Sequence, residues 1–142
     1  MKLEGFNLPQ LSKEDLWMIR REYNAVIEEL DLEDPDDLHD TVHFHESIVN
    51  EKIQTVKELA NKIVMIPSII DGAVKETDLE TARMTLRLES LNLQPSDMTL
   101  DCLKILMFLD YRFYQLTELL ESIINNIYAT HGELLQIKNL CG

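Results

Sequence analysis

Apolar residues recur at steps of three and four along most of the chain, which is the spacing of one face of an α-helix. The pattern predicts four helices, two long and two shorter, preceded by an extended N-terminal arm. We therefore expect an all-α fold, built as an elongated helical bundle of about four helices. The whole chain is predicted to be one domain (1–142), with the arm over residues 1–11, the bundle over 12–132 and a short C-terminal tail over 133–142.

The first helix is predicted to begin after Ser12 and to end near Leu30. Ser12 and Asp15 have the spacing of a capping box, in which each side chain accepts a hydrogen bond from the other residue's backbone N–H. The apolar face of this helix consists of Leu16, Ile19, Tyr23, Val26, Ile27 and Leu30.

The second helix is predicted to begin at Pro35, because Asp34 is a suitable N-cap and proline fits the first helical position. It should end just before Pro67, since the residue that precedes a proline avoids the α conformation. These limits give a helix of about thirty residues, or roughly 45 Å. Its core face consists of Leu38, Val42, His45, Val49, Ile53, Val56, Ala60 and Ile63.

A break in the helical pattern is expected over residues 66–68, with Gly72 as a second weak point. Thr77 and Glu80 have capping-box spacing and predict the start of a third helix. This helix should stop before Pro95. Its inward residues are predicted to be Leu79, Ala82, Leu86 and Leu91.

The fourth helix is predicted to begin after Ser96 and to end at Gly132, a length of roughly 52 Å. Its apolar residues alternate at steps of four and three, which is typical of an a/d-type seam. The seam consists of Cys102, Leu106, Leu109, Phe113, Leu116, Leu120, Ile123 and Ile127. Between residues 102 and 114 only three charged residues interrupt the apolar ones, so that stretch requires burial on nearly every side.

The lengths of the two long helices indicate either an elongated bundle or helix ends that project towards a partner. A compact domain of this size has a diameter under about 40 Å, which is shorter than either helix. The sequence therefore predicts a non-catalytic protein–protein interaction module, either a subunit or adaptor of an intracellular complex or a homo-oligomer. The predicted partner-binding residues are Leu106, Leu109, Phe113, Leu116, Leu120, Ile123 and Ile127.

Aromatic residues on the fourth helix are open to two interpretations. Phe108, Tyr111, Phe113 and Tyr114 are suited to a groove for a partner helix, and they are equally suited to filling a core. Trp17 on the first helix is expected to be a half-buried bundle residue, with an exposed anchor as the alternative.

The charge of the chain excludes some partners and favours another. Thirteen Lys and Arg oppose 26 Asp and Glu, giving a formal net charge of −13, and such a field repels nucleic acid and anionic membranes. Eight acids form an acidic patch that contains no Lys or Arg: Glu28, Glu29, Asp31, Glu33, Asp34, Asp36, Asp37 and Asp40. The alternative function is an acidic helical inhibitor or chaperone, including one of viral origin, that binds a basic protein or peptide through residues 28–40.

A third option is a metalloprotein that uses His39, His43, His45 and Glu46. His39 and His43 are four residues apart and share one helical face, as zinc-binding pairs do. The sequence contains no H-E-x-x-H motif, however, and no Glu-x-x-His pair of the di-iron bundles. The favoured interpretation is an exposed histidine pair beside acids, with His45 facing the core and no metal bound.

No other pattern indicates catalysis, so we expect no catalytic residue, no cofactor and no enzyme activity. None of the serines occupies a G-x-S-x-G elbow, and the four glycines are scattered singly rather than clustered around a phosphate site. Asp110 lies beside the seam, and we expect it to form an ion pair with Arg83 or Arg87 or to be exposed at the edge of the bundle.

The two cysteines, Cys102 and Cys141, fit neither a C-x-x-C motif nor zinc spacing. Cys102 is expected to behave as a small apolar residue. The N-terminus has no apolar leader region, and the longest apolar runs are five residues, too short to cross a bilayer. We therefore expect an intracellular protein, cytoplasmic or nuclear, in a reducing compartment.

The segment over residues 63–70, IVMIPSII, resembles a short stretch of the thyroid-hormone-responsive lipogenic regulators, which are small helical proteins without catalysis. The resemblance covers eight residues and consists mostly of interchangeable aliphatic side chains around one Pro-Ser pair. No functional residue is taken from it, and the chain is not assigned to that family.

Overall fold

The computed structural model describes residues 10–65 and 75–141, with side chains through residue 129. This part of the chain forms four α-helices and one short 3₁₀ turn. They are α1 (Lys13–Glu29), α2 (Pro35–Val64), α3 (Glu76–Leu86), the 3₁₀ turn (Pro95–Asp97) and α4 (Leu100–Cys141). The helices pack against one another and the described residues contain no strand, which confirms the all-α prediction. Residues 1–9 of the predicted arm and the predicted break around 66–72 lie outside the described residues.

The described residues form two compact units, and α2 and α4 contribute to both. The first unit contains residues 10–54 and 89–115, and the second contains residues 55–65, 75–88 and 116–141. The core of the first unit consists of Ile19, Val42, Val49, Ile53, Leu103, Leu106, Met107, Leu109 and Phe113. The core of the second unit consists of Val56, Ala60, Ile63, Ala82, Thr85, Leu88, Leu116, Leu120, Ile123 and Ile127.

The predicted start of α1 is confirmed atom by atom. The Ser12 hydroxyl accepts a hydrogen bond from the Asp15 N–H at 3.1 Å, and the Asp15 carboxylate accepts one from the Ser12 N–H at 3.2 Å. The helix ends at Glu29, with Leu30 as its C-cap. The inward face of α1 is narrower than predicted. Ile19 is its one buried residue, and Leu16 is 45% exposed.

The predicted bounds and core face of α2 are also confirmed. Pro35 is its first residue and Val64 its last, and two acids in its first turn suit the positive end of the helix dipole. Six of the predicted core positions are fully buried: Val42, Val49, Ile53, Val56, Ala60 and Ile63.

The predicted limits of α3 are wrong at both ends. The helix begins at Glu76 after Lys75, which makes no side-chain cap, and Thr77 lies inside the first turn. It ends at Leu86 instead of continuing towards Pro95. Residues 88–94 that follow are not helical.

Side chains of α2 bond to several backbone groups of residues 88–94 and so compete with a continuation of α3. In the first unit, the Asn50 amide oxygen accepts from the Leu91 N–H at 2.7 Å, and its NH₂ group donates to the Leu91 carbonyl at 3.2 Å. The Glu46 carboxylate accepts from the Leu93 N–H at 3.0 Å. These bonds pair the Leu91 N–H, the Leu91 carbonyl and the Leu93 N–H without helical geometry.

A similar contact occurs in the second unit, where the Lys57 ammonium donates to the Leu88 carbonyl at 2.9 Å. Next to it, Thr85 is fully buried, and its hydroxyl donates to the Thr81 carbonyl one turn earlier at 2.8 Å. Each of these polar groups therefore has a partner inside the protein.

The predicted start and end of α4 are both wrong. Ser96 lies in the 3₁₀ turn, and α4 begins four residues later at Leu100. The Thr99 hydroxyl accepts from the Cys102 N–H at 3.1 Å and supplies the cap instead. At the other end α4 continues through Gly132 to Cys141, since a glycine inside a helix costs only about 1 kcal/mol. Residues 133–141 are therefore a helical continuation of α4.

The Asn50 contacts predict a measurable loss of stability. In Asn50→Ala, the N–H and carbonyl of Leu91 both lose their partner, and the free energy of unfolding should fall by about 1–3 kcal/mol. Urea unfolding checks this value, and amide exchange at Leu91 should become faster. Asn61→Ala, at an exposed position of the same helix, is the control and should change stability by less than about 0.5 kcal/mol. Equal losses in the two variants would contradict the role assigned to Asn50.

Candidate functional site

Half of the exposed large apolar side chains belong to α1 or to the start of α4, in the first unit. Ten large apolar residues are exposed among the described residues, and five of them lie in the first half of α1 or near the start of α4. These five are Leu16, Trp17, Met18, Ile105 and Phe108. Exposed apolar side chains that lie together often mark an interaction site.

A groove between α1 and α4, here called the α1–α4 groove, contains three of these five side chains. Its volume is about 460 Å³, within the range of about 300–1,000 Å³ that is typical of ligand sites. The lining residues from α1 recur at steps of three and four and form one wall. The opposite wall comes from one turn of α4. The lining residues are Leu16, Ile19, Arg20, Tyr23, Asn24, Lys104, Ile105 and Phe108.

Two tyrosine hydroxyls hold the walls of the groove together. The Tyr23 hydroxyl, late in α1, donates to the Leu100 carbonyl at the start of α4 at 3.3 Å. The Tyr111 hydroxyl, three turns further along α4, donates to the Asp15 carboxylate at the start of α1 at 2.5 Å. The late part of α1 thus contacts the start of α4, and the start of α1 contacts a later turn of α4. The two helices therefore run antiparallel here.

The charges in the groove are opposite in sign to those of the chain as a whole. Arg20 on α1 and Lys104 on α4 are its two charged lining residues, both exposed, and no acid lines it. Neither cation has a carboxylate partner within the part of the chain that the structure describes. In a protein of net charge −13, the groove is therefore a local basic and apolar site.

Trp17 extends the exposed surface on the other side of Arg20. Its ring is 60% exposed, and the Arg21 guanidinium lies over it at 5.5 Å from the ring centre. The expectation of a half-buried tryptophan is therefore wrong, and the alternative of an exposed residue is the observed one. Tryptophan and arginine are frequent at the energetic centres of protein interfaces.

The predicted seam lies inside the protein. Its seven predicted partner-binding residues are at most 6% exposed, and they are Leu106, Leu109, Phe113, Leu116, Leu120, Ile123 and Ile127. Leu106, Leu109 and Phe113 belong to the core of the first unit, and the other four to that of the second. A partner cannot reach any of them in this conformation.

The aromatic residues of α4 divide between the two predicted roles. Phe113 fills the core, whereas Phe108 is 38% exposed in the groove and Tyr114 is exposed elsewhere on the helix. The sequence did carry a signal for the groove, because α4 is apolar on nearly all sides between residues 102 and 114. Ile105, which is 58% exposed, and Phe108 lie on a side of α4 that the described residues leave uncovered.

The acidic patch is exposed, apart from the half-buried Asp37. Its members Glu28 and Glu29 end α1, and the others form the connection to α2 and its first turns. Several of the carboxylates organise this connection: the Asp37 carboxylate accepts from the Asp31 N–H at 2.7 Å, and that of Asp34 accepts from the Asp36 N–H at 3.0 Å. Part of the patch is thus used in local structure.

The four residues of the predicted metal site do not form a ligand set. The rings of His39 and His43 lie 4.4 Å apart, and His43 Nδ1 is 3.4 Å from one oxygen of Glu46. The second oxygen of Glu46 accepts the Leu93 N–H. No group of three or more potential metal ligands occurs among the described residues.

Asp110 is paired, but not with the residues predicted. Its carboxylate forms an ion pair with Lys52 of α2, and the Lys52 ammonium also lies 5.8 Å from the Tyr114 ring centre. The prediction of Arg83 or Arg87 as the partner is therefore wrong, and Arg83 lies 3.6 Å from Glu76 instead. Lys52 and Asp110 both belong to the first unit.

Burial shifts the pKa values of two further titratable groups of the first unit. Burial raises the pKa of the Cys102 thiol, and the nearby carboxylates of Asp97 and Glu46 add to this effect, so the thiol stays protonated rather than nucleophilic. Burial lowers the pKa of His45, against the opposing charge of Asp110. His45 is accordingly a largely neutral residue of the first unit at neutral pH.

No protein-family model matches the chain, and no curated protein or solved structure shows significant similarity to it. Within the described residues, none of the helices combines the length and the apolar character that a membrane-spanning segment requires.

The Tyr111 hydrogen bond predicts a change in the acidity of Asp15. That bond is the main reason why the pKa of Asp15 lies below its ordinary value of 3.8, with the Ser12 hydroxyl as the second. Tyr111→Phe should therefore raise the pKa of Asp15, as followed by NMR titration of its carboxyl carbon. Tyr128→Phe, which changes an exposed tyrosine of the second unit, is the control. An unchanged pKa in Tyr111→Phe would show that the bond does not persist in solution.

The lowered pKa of His45 predicts a stability that declines in mild acid. The unfolded chain binds a proton near the ordinary histidine value of 6.5, whereas the folded chain binds it only at lower pH, so unfolding becomes easier as the pH falls below that value. His45→Gln should make the decline between about pH 7.5 and 5.5 shallower by up to about 1.4 kcal/mol per pH unit. Urea unfolding at several pH values checks this, and His39→Gln at an exposed position should retain the original slope.

Proposed function

We propose that this chain is a non-catalytic helical interaction module, a subunit or adaptor of an intracellular complex, that binds its partner in the α1–α4 groove. The observation that carries the proposal is the exposure of Ile105 and Phe108 on a stretch of α4 whose other apolar side chains are mostly buried. A helix that is apolar on all sides requires cover on all sides. A partner helix would supply the missing cover.

The position of the seam supports the choice of this groove. Since its seven predicted interface residues already pack within the chain, a partner would have to open the core to reach them. Binding in the groove needs no such opening, because Leu16, Ile105 and Phe108 are accessible as they stand. Helix-in-groove recognition uses this kind of apolar channel between helices.

The exposed acidic patch supports a second candidate function, the binding of a basic protein or peptide through residues 28–40. Seven of its eight carboxylates are exposed, and they face no lysine or arginine in an ion pair among the described residues. Binding there would weaken steeply as salt is added. An apolar groove would be much less sensitive to salt, so ionic strength separates the two candidates.

Photocrosslinking in cells tests the α1–α4 groove as the partner site. A benzophenone amino acid at Ile105 should give a discrete adduct with a partner, and the same probe at the exposed Tyr128 in the second unit should not. Phe108→Ser should reduce the Ile105 adduct at least about tenfold, because it removes a central apolar contact of the groove.

The readout is the adduct yield per folded protein, with circular dichroism showing that Phe108→Ser keeps its helices. Adducts of the same size and yield at positions 105 and 128 would contradict the proposal, and so would an Ile105 adduct that Phe108→Ser leaves unchanged.

A further inference from the structure

We propose that the occupant of the α1–α4 groove is an amphipathic helix whose apolar stripe is bordered on both sides by acidic residues. The inference rests on the function proposed above and specifies the chemistry of the partner. Arg20 and Lys104 carry it, because they are the charged side chains of a groove that is otherwise lined by six uncharged residues.

Both cations are available to a partner. Arg20 and Lys104 are exposed, and within the described chain neither forms an ion pair with a carboxylate. In a chain with twice as many acids as bases, two unpaired cations beside one apolar groove form a distinct local feature. A carboxylate placed beside each of them would gain a charge-assisted hydrogen bond.

The placement of the two cations determines where the acids of the partner must lie. Arg20 belongs to α1 and Lys104 to α4, so they stand on opposite walls. A helix lying along the groove would direct its apolar stripe to Ile19, Ile105 and Phe108, and its two flanking rows towards the walls. Acids in both flanking rows would meet the cations, as e and g residues meet across a coiled coil.

Acids elsewhere on the partner helix would not contribute in this way. The net charge of −13 repels any acidic peptide at long range, and salt screens that repulsion beyond about 8 Å at physiological ionic strength. The benefit of the acids therefore depends on their position beside the two cations rather than on the total charge of the peptide. This distinction makes the proposal testable with peptides of identical composition.

The test uses two synthetic 18-residue helical peptides that share one composition and one apolar stripe of leucine and phenylalanine. In the flank-acid peptide, glutamates border the stripe and lysines lie on the outer face, whereas in the flank-base peptide these positions are exchanged. Fluorescence anisotropy should show that the full chain binds the flank-acid peptide about tenfold more tightly.

Three variants of the protein complete the test. Arg20→Glu/Lys104→Glu should reverse the preference, and Lys62→Glu/Arg87→Glu, which reverses two exposed cations outside the groove, should retain it. Ile105→Ser/Phe108→Ser should bind neither peptide. Circular dichroism and urea unfolding establish that each variant is folded.

The outcomes separate this inference from the function on which it rests. If the protein binds both peptides equally and Ile105→Ser/Phe108→Ser loses that binding, the acidic partner is overturned and the groove remains the interaction site. Binding that Ile105→Ser/Phe108→Ser leaves unchanged would overturn both. Failure of the protein to bind either peptide, or a preference that survives Arg20→Glu/Lys104→Glu, would overturn the acidic partner.

Discussion

The need to cover α4 on every side is the constraint on which the first unit depends. Six of the eight residues from Cys102 to Leu109 are apolar aliphatic or aromatic, and exposing them to water has a free-energy cost proportional to their area. Buried residues of α2 and α1 share the core with Leu103, Leu106 and Leu109. Ile105 and Phe108 are the apolar residues of this stretch that stay exposed. Their exposure marks a side of α4 that no described element of the first unit covers.

Much of the fold could be predicted because the relevant interactions are local in sequence. The capping box of α1 joins residues three positions apart, and the 3.6-residue period selects the core faces of α2 and α4. The end of α3 could not be predicted, because the groups that compete with helix formation at Leu91 come from Asn50, 41 residues earlier. The real extent of α4 was missed for a simpler reason, since a single glycine is a weak stop.

The candidate site illustrates the same limit. Sequence showed that the start of α4 has more apolar surface than one face can bury, and it named Phe108 among the candidate groove residues. It could not show which side stays open, nor that Arg20 and Lys104, 84 positions apart, would line one channel. The seam residues were predicted to bind a partner, and they pack within the chain. Sequence periodicity does not distinguish packing within a chain from packing between chains.

The small number of contacts between α1 and the rest of the first unit affects how α1 moves. α1 has one buried side chain and two tyrosine hydroxyl bonds to α4. A helix with so few buried contacts is expected to open locally before the protein unfolds as a whole. The groove exists only while α1 is docked, since five of its eight lining residues belong to that helix. A bound partner would therefore shift the population towards the docked state and protect the amides of α1 from exchange. The binding of the partner and the docking of α1 are therefore linked equilibria, so a change in one changes the other.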